Sequence, residues 1–184
     1  MAERPDELAL VERFRRGDDT AFDRIVAEHE AEIAALANRL LAWPHDVDDI
    51  VQEVFISAFK ALSTFRGQCR LRTWLFTITV NKCRSHRRRA RRNEVFVAEE
   101  PLAGAHEDAV TKAMTAETFA RVQRVVRTLP PKYREVVVLR YLEGFDTAEI
   151  CELLKINTNA VQVRLNRARK QLRDSLADLI QEES

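Results

Sequence analysis

Apolar residues recur every three or four positions along most of this chain, which is the spacing of one face of an α-helix. One such stripe runs from Phe22 to Leu40, and a second runs from Val47 through Phe59 to Leu62. Turn-forming residues are few, with 4 Gly and 5 Pro in 184 residues. Because the rest is rich in strong helix formers, the pattern predicts an all-α protein.

The helical pattern breaks in one place, between residues 93 and 113. This stretch is acidic, contains Pro101 and Gly104, and has only weak periodicity. We interpret it as a flexible linker, with one short helix inside it as the alternative. The prediction is two small helical domains, residues 1–92 and 115–184, joined by a flexible acidic linker at residues 93–114.

Charge is strongly segregated, although the formal net charge is only +1. From Lys82 to Arg92, seven of eleven residues are Lys or Arg, and none is acidic. From Asp46 to Phe59 there are four acids and no Lys or Arg. Because local fields matter more than the total charge, a basic face and an acidic face predict two kinds of partner.

The sequence argues against a secreted or membrane-spanning protein, a metal-binding protein and an enzyme. The 3 cysteines are far apart, with neither a C-x-x-C pair nor a zinc spacing with the 4 histidines. We therefore expect a reducing, cytoplasmic setting and no metal or cofactor. Residues 1–12 do not resemble a signal peptide, and no run of eighteen apolar residues predicts a membrane span. Because no nucleophile, phosphate loop or histidine accompanies the acids, we expect no catalytic site.

The C-terminal pattern predicts a helix-turn-helix. Asp146 and Glu149 form a capping-box pair before a short helix, a turn follows at residues 155–157, and Cys151 supplies the small residue where two helices cross. The last helix has an outer face of Gln, Asn, Arg and Lys, which suit base edges and phosphates. The alternative is an ordinary solvated helix of a bundle.

The N-terminal pattern combines an acidic helix, a loop and a basic helix. The acids from Asp48 to Glu53 favour docking to a basic protein surface, or simply stabilise the first turn of a helix. The arginine-rich helix and the loop before it are typical of single-stranded nucleic-acid binding. We expect Trp74 and Phe76 to be core residues and the polar loop side chains Gln68, Cys69 and Arg70 to contact bases.

These segments resemble extracytoplasmic-function sigma factors. Asp46–Leu62, the Phe65-Arg-Gly turn and Thr73–Arg84 are similar to the second conserved region of that family. Leu129–Gly144, Glu149-Ile and Val161–Leu172 are similar to its fourth region. The resemblance covers nearly the whole chain in the expected order. It implies a subunit that binds core RNA polymerase and directs promoter-specific initiation, and not an enzyme.

The resemblance also implies residue roles. The polymerase largest-subunit clamp helices would be bound by Asp48, Asp49, Gln52, Glu53 and Phe55. The minus-ten element would be read and opened by Gly67, Gln68, Cys69, Arg70, Leu71, Asn81, Arg84, Ser85 and Arg88. The minus-thirty-five element would be read by Gln162, Val163, Asn166, Arg167 and Lys170. Other implied partners are the polymerase flap and an anti-sigma factor.

This chain departs from the family pattern at the helix-turn-helix. Lys155 stands where the family usually has Gly, Asn159-Ala160 replaces Gly-Thr, and Gln162 and Val163 replace the commoner Lys or Arg and Ser. These departures concern which promoter is read. The rival hypotheses are a stand-alone helix-turn-helix regulator, which leaves the N-terminal half unexplained, and an adaptor that mimics sigma surfaces without reading promoters.

Overall fold

The computed structural model describes residues 5–41, 46–93 and 124–182, and within these ranges every regular element is helical. The chain divides into two compact units, Met1–Ala98 and Glu99–Ser184. The predicted all-α fold of two small helical domains is therefore confirmed. Apart from its first residue, the predicted linker lies outside the described residues, so its limits and flexibility stay predictions.

Among its described residues, the first unit contains four α-helices and a short 3-10 turn. They are α1 (Pro5–Arg15), α2 (Thr20–Leu40), α3 (Val47–Ala61), the 3-10 turn Leu62–Thr64 and α4 (Leu71–Asn93). Helices α2, α3 and α4 pack against one another, and α1 packs on α2 and on the 3-10 turn. The predicted stripe of α2 from Phe22 to Leu40 does form its buried face, which confirms this stripe as one side of the core.

Helix α1 was not predicted from the sequence. Its first turn carries Asp6 and Glu7 and its last turn carries Arg13 and Arg15, an order that favours the helix dipole at both ends. Leu10 and Val11 are only 4% and 1% exposed. With eleven residues, α1 is too short to be stable alone, and burial of this apolar pair on its neighbours stabilises it.

The second unit begins, among the described residues, with a short helical stretch, α5, at residues 124–128. It continues with α6 (Pro131–Val137) and the π-helical turn Val138–Leu142, and then with α7 (Thr147–Leu154) and α8 (Thr158–Glu182). Pro131 occupies the first turn of α6, where a missing N–H costs no helical hydrogen bond. Helices α6 and α7 both pack on α8.

A buried arginine of α6 forms hydrogen bonds to the residues that precede this helix. The guanidinium of Arg134, which is 5% exposed, donates hydrogen bonds to the carbonyl of Arg127 at 2.5 Å and to that of Leu129 at 3.1 Å. A buried charged donor needs such acceptors, because leaving it without them costs several kcal/mol. This side chain therefore fixes the path around Pro130.

The predicted helix-turn-helix is present. Asp146 and Glu149 form a reciprocal capping box at the start of α7, with both hydrogen bonds at 2.8 Å. The helix ends at Lys155, whose backbone is left-handed with φ 56°. The side chain of Asn157 accepts a hydrogen bond from the amide of Ala160 at 2.8 Å and so caps α8.

Candidate polymerase and nucleic-acid interfaces

The acidic side chains predicted to dock on polymerase project from α3. Asp48, Asp49 and Gln52 are exposed, and the two aspartates occupy the first turn. Carboxylates at this end are favoured by the helix dipole, so the sequence can keep them there without internal ion pairs. Three of the five predicted docking residues are thus accessible to a partner.

Glu53, the fourth predicted docking residue, pairs with cations of α4. Its carboxylate lies 3.0 Å from the Arg89 guanidinium and 3.4 Å from the Lys82 ammonium. Partial burial is the largest single influence on the pKa of Glu53 and would raise it. The charges and hydrogen bonds of Arg89 and Lys82 together outweigh burial and hold the pKa below its ordinary value. Glu53 therefore links the acidic helix to the basic one.

Phe55, the fifth predicted docking residue, is buried. It is only 8% exposed, and its ring packs edge-on against Phe22 with centroids 6.3 Å apart. The apolar groups that α3 does expose are Ile56 at 48% and Phe59 at 44%. Part of the apolar stripe of α3 is therefore exposed, and a docking role for Phe55 would require its ring to leave this packing.

The face formed by Asp49, Gln52, Ile56 and Phe59 has positions three or four residues apart, so it is one continuous face of α3. The ring of Phe59 packs against the rings of Phe14 and Phe22, with ring centroids 5.1 Å apart in each pair. The face therefore joins acidic, amide and apolar groups. The sequence could not reveal this, because buried and exposed apolar residues share the same helical spacing.

The loop that precedes α4 projects mainly polar groups. Gln68 and Arg70 are exposed, Cys69 is half-buried, and Gly67 has φ 67°, which favours glycine. Leu71 is only 1% exposed. This leucine is the first residue of α4 and anchors the end of the loop. Its role in reading the minus-ten element stays a prediction, and contact of its side chain with DNA would require it to leave the core.

The two aromatic residues around the loop support it from inside. Phe65 is 6% exposed and lies against Trp74, with ring centroids 5.4 Å apart. Phe76 is fully buried at 0% and Trp74 is half-buried. The predicted core role is thus confirmed for Phe76 and holds in part for Trp74.

The cations of α4 divide between two faces of the helix. Toward α3, Lys82 and Arg89 pair with Glu53, and His86 lies 3.5 Å from Asp46. The predicted minus-ten residues Asn81, Arg84, Ser85 and Arg88 occupy a different face of the helix. Among them Asn81 and Arg88 are exposed, Arg84 and Ser85 are half-buried, and Arg88 donates to the Ser85 hydroxyl at 2.9 Å. Only part of the arginine run thus lies away from the acidic residues at and near α3.

The predicted recognition face of α8 is exposed throughout. Its members are Gln162, Val163, Asn166, Arg167 and Lys170. On the opposite side Val161, Leu165 and Ala168 are at most 2% exposed. Because these two sets alternate with helical spacing, burial of the apolar set against α6 and α7 directs the polar set outward.

Two tyrosines of the second unit interact with arginines of α8. Arg169 donates to the Tyr141 hydroxyl at 3.0 Å and to the Asn166 side-chain oxygen at 3.2 Å. A hydrogen bond from Arg167 is the main cause that lowers the pKa of Tyr133. The sequence does not reveal either tyrosine as a partner of an arginine, because their spacing alone resembles that of core residues.

Comparisons with known proteins agree with this geometry. Residues 25–93 match the family model described as Sigma-70 region 2, and residues 119–172 match Sigma-70, region 4. An ECF RNA polymerase sigma-E factor of Haemophilus influenzae is 30% identical over 190 residues, which cover 98% of this chain and 100% of that protein. The chain belongs to the ECF sigma-factor family.

Solved structures of similar proteins extend the comparison. This sigma factor is 29% identical to CnrH, solved in complex with the cytosolic domain of CnrY, with a TM-score of 0.67 and coverage of 94% of this chain and 98% of that one. It shares its fold with RpoE of Bartonella quintana, solved with the anti-sigma factor NepR, at 22% identity and a TM-score of 0.70, covering 85% and 96% of the two chains. Within the described ranges of the sigma factor, no helix combines the length and apolarity that a bilayer span requires.

Proposed function

We propose that this sigma factor docks on the clamp helices of core RNA polymerase through α3. The exposed face that carries Asp49, Gln52, Ile56 and Phe59 supports this assignment. A clamp surface with basic and apolar groups would complement it, because opposite charges steer association while apolar contact stabilises the complex.

Reading of the minus-ten element is assigned to the loop and the outer face of α4. The exposed side chains of Gln68 and Arg70 can contact a base that has left the stack, and Arg88 can neutralise a phosphate. The buried Phe65 and Leu71 hold the two ends of this loop. A loop with fixed ends is suited to form a pocket for an extruded base.

Reading of the minus-thirty-five element is assigned to α8. The single observation that carries the proposal is that all five predicted recognition residues of this helix are exposed on one face. Arg167 suits a guanine edge, Gln162 and Asn166 suit adenine, and the 39% exposed Val163 can contact a thymine methyl group. The polymerase flap is the further partner that we infer for this unit.

We further propose that the protein acts in the cytoplasm, where its polymerase is, that it has no catalytic activity of its own, and that an anti-sigma factor restrains it. The bound anti-sigma factor in the structure of RpoE supports the last inference. The exposed apolar pair Ile56 and Phe59 is a surface that such a partner would cover in competition with polymerase.

Run-off transcription tests the proposed function. Core polymerase is combined with a library of promoter fragments, with and without the purified chain. We expect new initiation that depends on the added chain and is selective for promoter sequence. Tight binding to core polymerase without any initiation would indicate an adaptor. Binding to duplex DNA but not to core polymerase would favour the stand-alone helix-turn-helix regulator.

A further inference from the structure

We propose that α1 holds the loop between α3 and α4 in place, and that Glu7 and Arg15 fix the conformation in which this loop contacts the minus-ten element. The inference rests on the proposed function, because it assigns two positioning residues to the loop that we expect to read DNA. Both residues lie in α1, which the apolar spacing did not predict. Neither would touch the DNA itself.

Arg15 holds the beginning of the loop. Its Nε donates to the carbonyl of Ser63 at 3.1 Å, and its Nη2 donates to the carbonyl of Phe65. The remaining terminal nitrogen, Nη1, pairs with Glu12, one turn earlier on the same helix. Because a guanidinium is a rigid planar fork, three bonds in different directions fix its orientation. The side chain thus spans the point where the 3-10 turn ends and the loop begins.

Glu7 holds the end of the loop. Its Oε2 accepts a hydrogen bond from the amide of Leu71, the first residue of α4, at 3.3 Å. Helix α4 has no acid in its first turn, and the residue before it is Arg70, which cannot accept such a bond. The first turn of a helix has unsatisfied N–H groups and a partial positive charge. A carboxylate from another helix therefore supplies the cap that the sequence of α4 lacks.

The loop is thus tied at both ends by hydrogen bonds and by burial. At its start Phe65 is 6% exposed, and at its end Leu71 is 1% exposed. Between them Arg66, Gln68 and Arg70 are exposed. Recognition of a base requires groups held to within about 0.5 Å, and a preformed loop loses less conformational entropy on binding. If either end of the loop is less firmly held, selectivity for the minus-ten bases should therefore decrease before binding to DNA is lost.

The packing of α1 does not depend on these two polar residues. Leu10 and Val11, at 4% and 1% exposure, attach the helix to the unit through apolar contacts. Substitution of Glu7 or Arg15 leaves that apolar area buried. The hydrogen bonds of Glu7 and Arg15 to the loop can therefore be removed while α1 stays packed, which makes the inference testable in the full chain.

The test compares Glu7→Ala and Arg15→Ala in two measurements. Hydrogen exchange of the amides of residues 66–71 in the full chain measures how firmly the loop is held. Initiation by the holoenzyme on promoters with single-base changes in the minus-ten element measures discrimination. We expect faster hydrogen exchange in both variants. The ratio of initiation on the preferred promoter to initiation on the changed promoters should fall by roughly tenfold, which is what the loss of one base contact would cause.

Matched controls lie next to each position. Asp6→Ala and Arg16→Ala remove exposed side chains of the same charge type from the same helix or its end, and both should leave exchange and discrimination unchanged. Glu7→Gln, which keeps an acceptor oxygen, should restore most of the protection. If Arg15→Ala does not fold, Arg15→Lys carries the same expectation, because an ammonium cannot span two carbonyls.

Unchanged exchange in both alanine variants would overturn the inference, as would an equal loss of initiation on all promoters. If the wild-type holoenzyme shows no minus-ten preference at all, the proposed function fails. The exchange measurement then still decides whether α1 holds the loop, so the two failures can be distinguished.

Discussion

Lys155 holds a backbone conformation that costs an ordinary residue free energy. At φ 56° it is the one residue other than glycine with a positive φ among those described, whereas Gly144 adopts φ 76°. The left-handed region costs a residue with a Cβ about 1–2 kcal/mol. The turn of the helix-turn-helix therefore stores strain at Lys155.

Lys155→Gly should stabilise the second unit by about 0.5–1 kcal/mol, because relief of the left-handed strain exceeds the added chain entropy of glycine. Thermal or denaturant unfolding of the full chain measures the change. Lys155→Ala keeps the strain and removes the charge, so it serves as the control and should bring no gain. Equal stabilisation by both substitutions would attribute the effect to charge.

Arg167→Ala should reduce discrimination at one minus-thirty-five position by roughly 1–3 kcal/mol. Arg167 is exposed on the recognition face, where its guanidinium can reach a base edge. Affinity for a set of duplexes with single-base changes measures the effect. Arg173→Ala, an exposed cation two turns nearer the C-terminus, should weaken binding to all duplexes alike. A uniform loss for Arg167→Ala would make it a phosphate contact.

At the scale of elements, α4 has two electrostatically different faces. The face toward α3 meets Asp46 through His86 and Glu53 through Lys82 and Arg89. These pairs are partly exposed, so their contribution to stability is modest. Their more important effect is on the local field, because a carboxylate beside two cations lowers the positive potential that a nucleic acid meets.

Glu53→Gln should raise the affinity of the protein without polymerase for single-stranded DNA, because it releases Lys82 and Arg89 from their acidic partner. The salt dependence should steepen by up to about 0.7 in the logarithmic slope for each cation that reaches a phosphate. Fluorescence anisotropy with a labelled oligonucleotide at several salt concentrations measures both quantities.

Asp49→Asn is the matched control for that prediction. It makes the same change in net charge on the same helix, at an exposed residue for which the structure shows no ion pair with α4. The affinity for DNA should change less than in Glu53→Gln. If the two substitutions act equally, the effect is one of total charge and the ion pairs of Glu53 have no special role.

At the scale of the molecule, two surfaces of opposite charge lie on neighbouring helices of one unit. Asp49→Lys should weaken binding to core polymerase by about tenfold or more while the melting temperature stays near that of the wild type, because the substituted side chain is exposed. Glu30→Lys, the same reversal at an exposed position of α2, should leave binding nearly intact. Undiminished assembly with Asp49→Lys would contradict docking through α3.

The residue pair Asp146 and Glu149 predicted the capping box of α7, and helical spacing predicted the all-α class, the two helical units and the outward face of α8. It could not separate Phe55 from Phe59, because both fall within one apolar stripe that is wider than the buried face. It also missed the link from Arg15 to the carbonyls of Ser63 and Phe65, which joins positions 48 and 50 residues apart. Contacts between side chain and distant backbone leave no periodic signal.

The hydrogen bonds of Arg134 determine where the second unit can be cut. Its Nη2 donates to the carbonyls of Arg127 and Leu129, which precede the Pro130-Pro131 pair. A recombinant fragment that starts at the first proline would keep every helix of the helix-turn-helix and yet bury a cation without its acceptors. The shortest fragment that preserves these bonds starts at or before Arg127.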